Sequence, residues 1–237
     1  MRNNWLIPCS LVAGLSTFAA TSSAAEIDIE IQNLTRGIYF TPLLVAAHPA
    51  EQSLFSVGEM ASSELQAMAE AGDISGLENV LTTVNADMAN NPAGGLLGPT
   101  QKTMASLSTE EGNSSLSIVG MMLPTNDGFI GLNAWPIPSE AGTYTVYLNA
   151  YDAGTEANDE IRGGDQPNMP GMPVPPPLES LIATGGSGVT TEIGATVVHI
   201  HPGNLGDHDE SAGISDISNT VQRWLNPVAK ITITVSE

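Results

Sequence analysis

Glu26-Ile27-Asp28-Ile29-Glu30-Ile31-Gln32 alternates isoleucine with a charged or polar residue at every step. Successive side chains of a strand point to opposite faces, so this run places three isoleucines on one side and the carboxylates on the other. A half-buried β-strand is predicted. Further along, Thr143 to Ala150 repeats the pattern with Tyr144, Val146, Leu148 and Ala150 on one face, and Val228 to Val235 does so through Ile231, Ile233 and Val235. Leu116 to Leu123, apolar but for Ser117 and ended by Pro124, reads as a buried strand; Phe129 to Asn133 and Val197 to His201 add two short strands. Between Gly58 and Val84 the period changes. Ser63 with Gln66, and Ser75 with Glu78, have capping-box spacing, and Gly72 can stop the first of two short helices. Prolines at 167, 170, 173, 175, 176 and 177 predict an extended surface crossing, because proline cannot donate to a sheet ladder. Short strands, frequent turns and few helices predict an all-β, antiparallel sandwich with a short helical insertion.

The chain opens with Arg2 ahead of an apolar stretch from Trp5 to Ala20, followed by Thr21-Ser22-Ser23-Ala24-Ala25, whose small residues suit a signal peptidase. This reads as a signal peptide over residues 1–25, leaving one domain over 26–237 in a secreted or periplasmic protein. The apolar stretch is too short for a comfortable membrane span, and no later segment replaces it, so no integral membrane segment is expected after cleavage. Cys9, the sole cysteine, leaves with the signal, and the mature chain can form no disulfide. The formal charge of the full chain is −20, and a surface so acidic repels nucleic acid and anionic lipid. It fits either a solubility adaptation or the binding of divalent cations, and specific cation binding needs carboxylates that converge.

Two acidic turns follow directly on predicted strands: Pro124-Thr125-Asn126-Asp127-Gly128-Phe129-Ile130-Gly131 and Tyr151-Asp152-Ala153-Gly154-Thr155-Glu156. Calcium takes six to eight oxygens from carboxylates, backbone carbonyls and water, and loops at one end of a sandwich offer carboxylates and bent backbone together. From composition alone each turn is also an ordinary solvated loop. These turns, with Met121-Met122-Leu123 before the first, Gly37-Ile38-Tyr39-Phe40-Thr41-Pro42 and Asn226-Pro227-Val228-Ala229-Lys230-Ile231-Thr232 toward the two ends, resemble the spondin domain family, the N-terminal domain of F-spondin and mindin. The resemblance implies a C2-like antiparallel β-sandwich with a calcium ion at one end, in an extracellular adhesion or interaction module that is not an enzyme. Its partner would be an extracellular protein or glycan. Asp127 and Asp152 match family aspartates, Glu156 stands where animal members have aspartate, and Gly128 replaces a tryptophan. The expected calcium ligands are Asp127, Asp152 and Glu156, with a backbone oxygen near Ala153. A crowded trio of carboxylates would repel at neutral pH unless a cation or protons neutralised it.

Val198-His199-Ile200-His201-Pro202 and the following Asp207-His208-Asp209 form a second candidate. On a strand His199 and His201 point to the same side, and with His208 returning from the turn they could hold zinc or copper, in a metal-binding protein or a metal-dependent enzyme. Packed or hydrogen-bonded histidines are the simpler alternative, and His48 joins them only if the fold brings it close. The chain has no Gly-x-Ser-x-Gly elbow, no His-Glu-x-x-His and no phosphate-binding glycine loop.

Overall fold

The opening alternation forms β1 (Glu26–Asn33), described with the rest of the protein in a computed structural model covering residues 24–209, 211 and 213–236. Most of the expected signal peptide, residues 1–23, lies outside the described residues. Among the described residues, ten strands follow one another as β1, β2 (Tyr39–Phe40), β3 (Leu44–His48), β4 (Asp87–Asn90), β5 (Lys102–Ser108), β6 (Ser115–Leu123), β7 (Gly128–Pro136), β8 (Gly142–Asp152), β9 (His199–Ile200) and β10 (Ala229–Ser236). All their ladders are antiparallel, in the order β4-β3-β6-β7-β8-β10-β1-β5, with β2 beside β6 and β9 beside β8. The fold is the all-β antiparallel sandwich, and its sheet curls far enough to approach closure.

Pairing follows the isoleucines. Ile27, Ile29 and Ile31 stand opposite Val235, Ile233 and Ile231 of β10, and opposite Leu107, Ala105 and Thr103 of β5. A one-residue slip would turn all of them to solvent, so burial of this face fixes the register. Strand β8 joins the two layers: Gly142–Leu148 pairs with β10, whereas Asn149–Asp152 pairs with β7. The main core lies between the layers, with Ile29, Ile31, Phe40, Ile118, Ile130, Leu148 and Ile231 inside.

A second core explains why β6 is apolar on both faces toward its C-terminal end. Val119, Met121 and Phe129 face away from the main core and are covered by α1 (Ser63–Ala71) and α2 (Ser75–Thr83) through Leu65, Met68, Leu77 and Leu81. Both helices start differently from the capping-box expectation. The cap of α1 is Ser62, whose hydroxyl accepts from Leu65 N, while the Ser63 hydroxyl donates to Glu64; at α2, Asp73 accepts from Ser75 N. Gly72 ends α1 in the left-handed conformation, as expected.

From Ala153 to Val228 the described residues form little regular structure beyond β9 and one 3₁₀ turn at Pro176–Leu178. The proline-rich stretch is not wholly on the surface, since Met172 is fully buried and its N–H donates to Ile161 O. Buried carboxylates organise this region. Glu160 accepts from Leu205 N at 2.5 Å, Gly206 N at 2.8 Å and Ser215 Oγ at 2.6 Å, and Asp216 accepts from Gly186 N and Arg162 N. Part of the chain's acidity is thus internal scaffolding, since a carboxylate satisfies several backbone donors that irregular chain would otherwise bury unpaired.

Candidate functional site

Antiparallel pairing brings Asp127 and Asp152 together although 25 positions separate them. Asp127 precedes the first residue of β7, Asp152 is the last of β8, and Gly128 pairs with Asp152. The two acids therefore share the open end of this strand pair, where Ala153 N donates to Asp127 O at 3.2 Å. Asp127 is fully buried. Its Oδ2 accepts from Thr155 N at 2.8 Å, Thr155 Oγ1 at 3.2 Å and Glu156 N at 3.2 Å, whereas its Oδ1 has no protein partner. Asp152, also buried, accepts from Gly154 N at 2.8 Å and Asn158 Nδ2 at 2.6 Å. Gly154 closes this turn at φ +73, where a Cβ would lie 2.6 Å from Val197 N, so only glycine lets the 195–197 segment press against it.

Burial first, and the Asp152 charge second, push the Asp127 carboxyl up to about 6. Glu156 is placed differently from the expected inner ligand. Its backbone N–H serves Asp127, but its carboxylate accepts from Asn126 Nδ2 at 3.4 Å and is repelled more by Glu70 of α1 than by Asp127. Burial and then Glu70 raise it to about 8. Among the described residues, no group of three or more His, Cys, Asp and Glu side chains is arranged to hold a metal ion.

Of the expected histidine cluster, His199 and His201 stay within electrostatic reach of each other and of Asp152, and His208 does not join them. His199 lies beside the acids, with Nε2 3.7 Å from Asp152 Oδ2, and its Nδ1–H donates to Val197 O. His201 is buried against Trp224 at a ring-centroid distance of 4.9 Å. Gly203 N donates to its Nδ1, which leaves the ring proton on Nε2, a buried position without a partner. Burial lowers His201 to about 4, so the ring is neutral. His208 is exposed and lines a separate cavity of about 410 Å³ with Asp207 and Asp216. His48 is a core residue far along the sheet, donating to Pro49 O and accepting from Ser117 Oγ.

The neighbours that complete the site, Asn126, Thr155, Asn158 and His199, were not all visible as such in sequence. Asp152-x-Gly154 carries the Asx-turn spacing that reveals the first bend. Nothing in the spacing of Asn158 marks it as a partner of Asp152, because that contact depends on the loop's path.

One prediction follows from Glu156. Its folded carboxyl keeps a proton to about pH 8, while the unfolded residue releases it near 4.5, so the metal-free chain loses stability as pH rises between those values. Above pH 6.5 the shifts at Asp127 and His201 have run their course. Urea midpoints should therefore fall between pH 6.5 and 8 in the wild type and stay level in Glu156→Gln.

The family model described as Spondin_N matches residues 31–176, which run from the end of β1 through β8 and contain Asp127, Asp152 and Glu156. No curated protein matches the chain.

Proposed function

Because the chain belongs to the spondin N-terminal domain family, we propose that it is an exported interaction module, without catalytic activity, that binds one calcium ion at the acidic end of its sandwich. The observation that carries this reading is Asp127 Oδ1, a buried carboxylate oxygen with no protein partner, held beside the buried carboxylate of Asp152. Burial beside a second carboxylate disfavours ionised Asp127 unless a cation or a proton offsets its charge. A hard cation suits oxygen donors of this kind.

Asp127 and Asp152 would hold the ion, with the Ala153 backbone oxygen and water completing the shell and Glu156 in an outer position. Thr155, Glu156 and Asn158 orient the two aspartates through the hydrogen bonds they already donate. A bound ion supplies charge neutralisation and ties the turn after β8 to the turn before β7. In an exported chain this end then offers a fixed surface to an extracellular protein or glycan.

Thermal melting after chelation, with and without calcium, tests the proposal. At a hundredfold excess over the dissociation constant, calcium should add about 2.7 kcal/mol of stability, and Asp152→Ala should abolish the gain. An equal calcium shift in both proteins would place the ion elsewhere, and no shift in either would remove calcium from the account. Zinc in the same format tests the histidines: a shift with zinc alone, lost on His199→Ala/His201→Ala, would favour the transition-metal reading.

A further inference from the structure

Next to the cation end, β7 and β8 carry an open groove of about 410 Å³ that contains neither Asp127 nor Asp152. Alternate residues of β8 supply Tyr147, Asn149 and Tyr151, which share one face. At about 3.4 Å per residue, the two tyrosines are about 14 Å apart along the strand. Phe55 closes one side, its ring 4.9 Å from that of Tyr151. The register sets Gly131 of β7 opposite Asn149, and a Cβ there would lie 2.6 Å from Phe55 Cζ, so the glycine lets the ring settle on the sheet. Asn133 of β7 and Ser56 add polar groups to the lining.

Two properties of this groove point to a ligand class. Its lining contains no charged side chain, in a chain whose formal charge is −20. It also leaves aromatic and amide surface to solvent: Tyr147 is 59% exposed, and the Asn149 side chain has no hydrogen-bond partner among the described residues. Aromatic faces bind apolar C–H faces, and carboxamides both donate to and accept from hydroxyls. Surrounding negative charge disfavours nucleic acid and sulfated or carboxylated polymers. We propose that the groove formed by Phe55, Tyr147, Asn149 and Tyr151 binds a neutral oligosaccharide, whose sugar rings stack on the tyrosines and whose hydroxyls meet the Asn149 amide, while Asn133, bonded to Leu54 N and Ser53 Oγ, fixes the groove's wall. The span from Tyr147 to Tyr151 suits a short chain rather than a single sugar.

Titration calorimetry of the mature protein with cellohexaose, maltohexaose and N-acetylchitohexaose, beside a sulfated hexasaccharide and decaproline, tests this. At least one neutral hexasaccharide should bind, the sulfated one should not, and Tyr147→Ala and Asn149→Ala should each weaken binding by about tenfold without changing the melting temperature. The idea is overturned if no neutral hexasaccharide binds at millimolar concentration, if both variants bind as wild type does, or if decaproline is the ligand that Tyr147→Ala releases.

Discussion

Asp127→Asn should be more stable than the wild type in chelator and less stable than the wild type in saturating calcium. The substituted amide keeps an oxygen for Thr155 and Glu156 and removes the charge that burial and Asp152 disfavour. A carboxyl raised from 3.8 to about 6 destabilises the folded, ionised state by about 3 kcal/mol, which bounds the gain without metal. With calcium, the wild type recovers the binding free energy and the variant lacks a charged ligand. Denaturation at pH 7.5 under both conditions reads out the inversion. A loss of similar size in chelator and in calcium would mean that repulsion between the aspartates does not govern this end of the protein.

The pH dependence of the same pair gives an independent check. Folded Asp127 holds its proton to about pH 6, so the metal-free wild type loses stability as pH climbs from 3.8 toward that value. His201 acts in the opposite direction: the unfolded ring binds a proton below 6.5 and the buried one only near 4, so stability rises with pH across that window. The two slopes oppose one another in the wild type. Glu156 adds a second falling slope above pH 4.5, so the histidine slope stands alone in Asp127→Asn/Glu156→Gln, whose stability should rise from pH 4 to 6.5.

Glu160→Ala should cost about 4 kcal/mol, close to the largest loss expected of a single substitution. Its carboxylate is buried and serves three donors, the N–H groups of Leu205 and Gly206 and the Ser215 hydroxyl. Removing it leaves all three without their acceptor in a region that has almost no ladder hydrogen bonds to replace it. Chemical denaturation measures the loss, and limited proteolysis should show new cleavage between 205 and 215. If the midpoint moved by less than the effect of a surface substitution, the interior role assigned to this acid would be wrong.

How far the fold could be read in advance depended on which force placed each segment. The isoleucine alternation and the apolar run of β6 carry their own burial pattern, so β1, β6, β8 and β10 were legible. β5 was not: its inward positions are Thr103, Ala105 and Leu107, while Met104 faces solvent, which blurs the alternation. β3 hid because all five of its residues are buried, leaving no period to detect. At the site, Asp127 and Asp152 were legible from strand ends followed by turns. The direction taken by Glu156, and the presence of His199 beside Asp152, depend on how the irregular segment returns over the sheet. No local pattern encodes that path.

The pairing of β1 with β10 also decides how this domain can be tethered. Glu26 lies opposite Ser236, and Asn33 opposite Ala229, which in turn faces Leu148 on the way along β8 to Asp152. Both ends of the described chain therefore emerge at the pole away from the acidic turns. Anything joined to either end holds those turns outward, toward whatever the tether approaches. Tension between the two ends would open β1 from β10 one hydrogen bond at a time instead of shearing the ladder as a block, so this pair would yield before the acidic turns are disturbed.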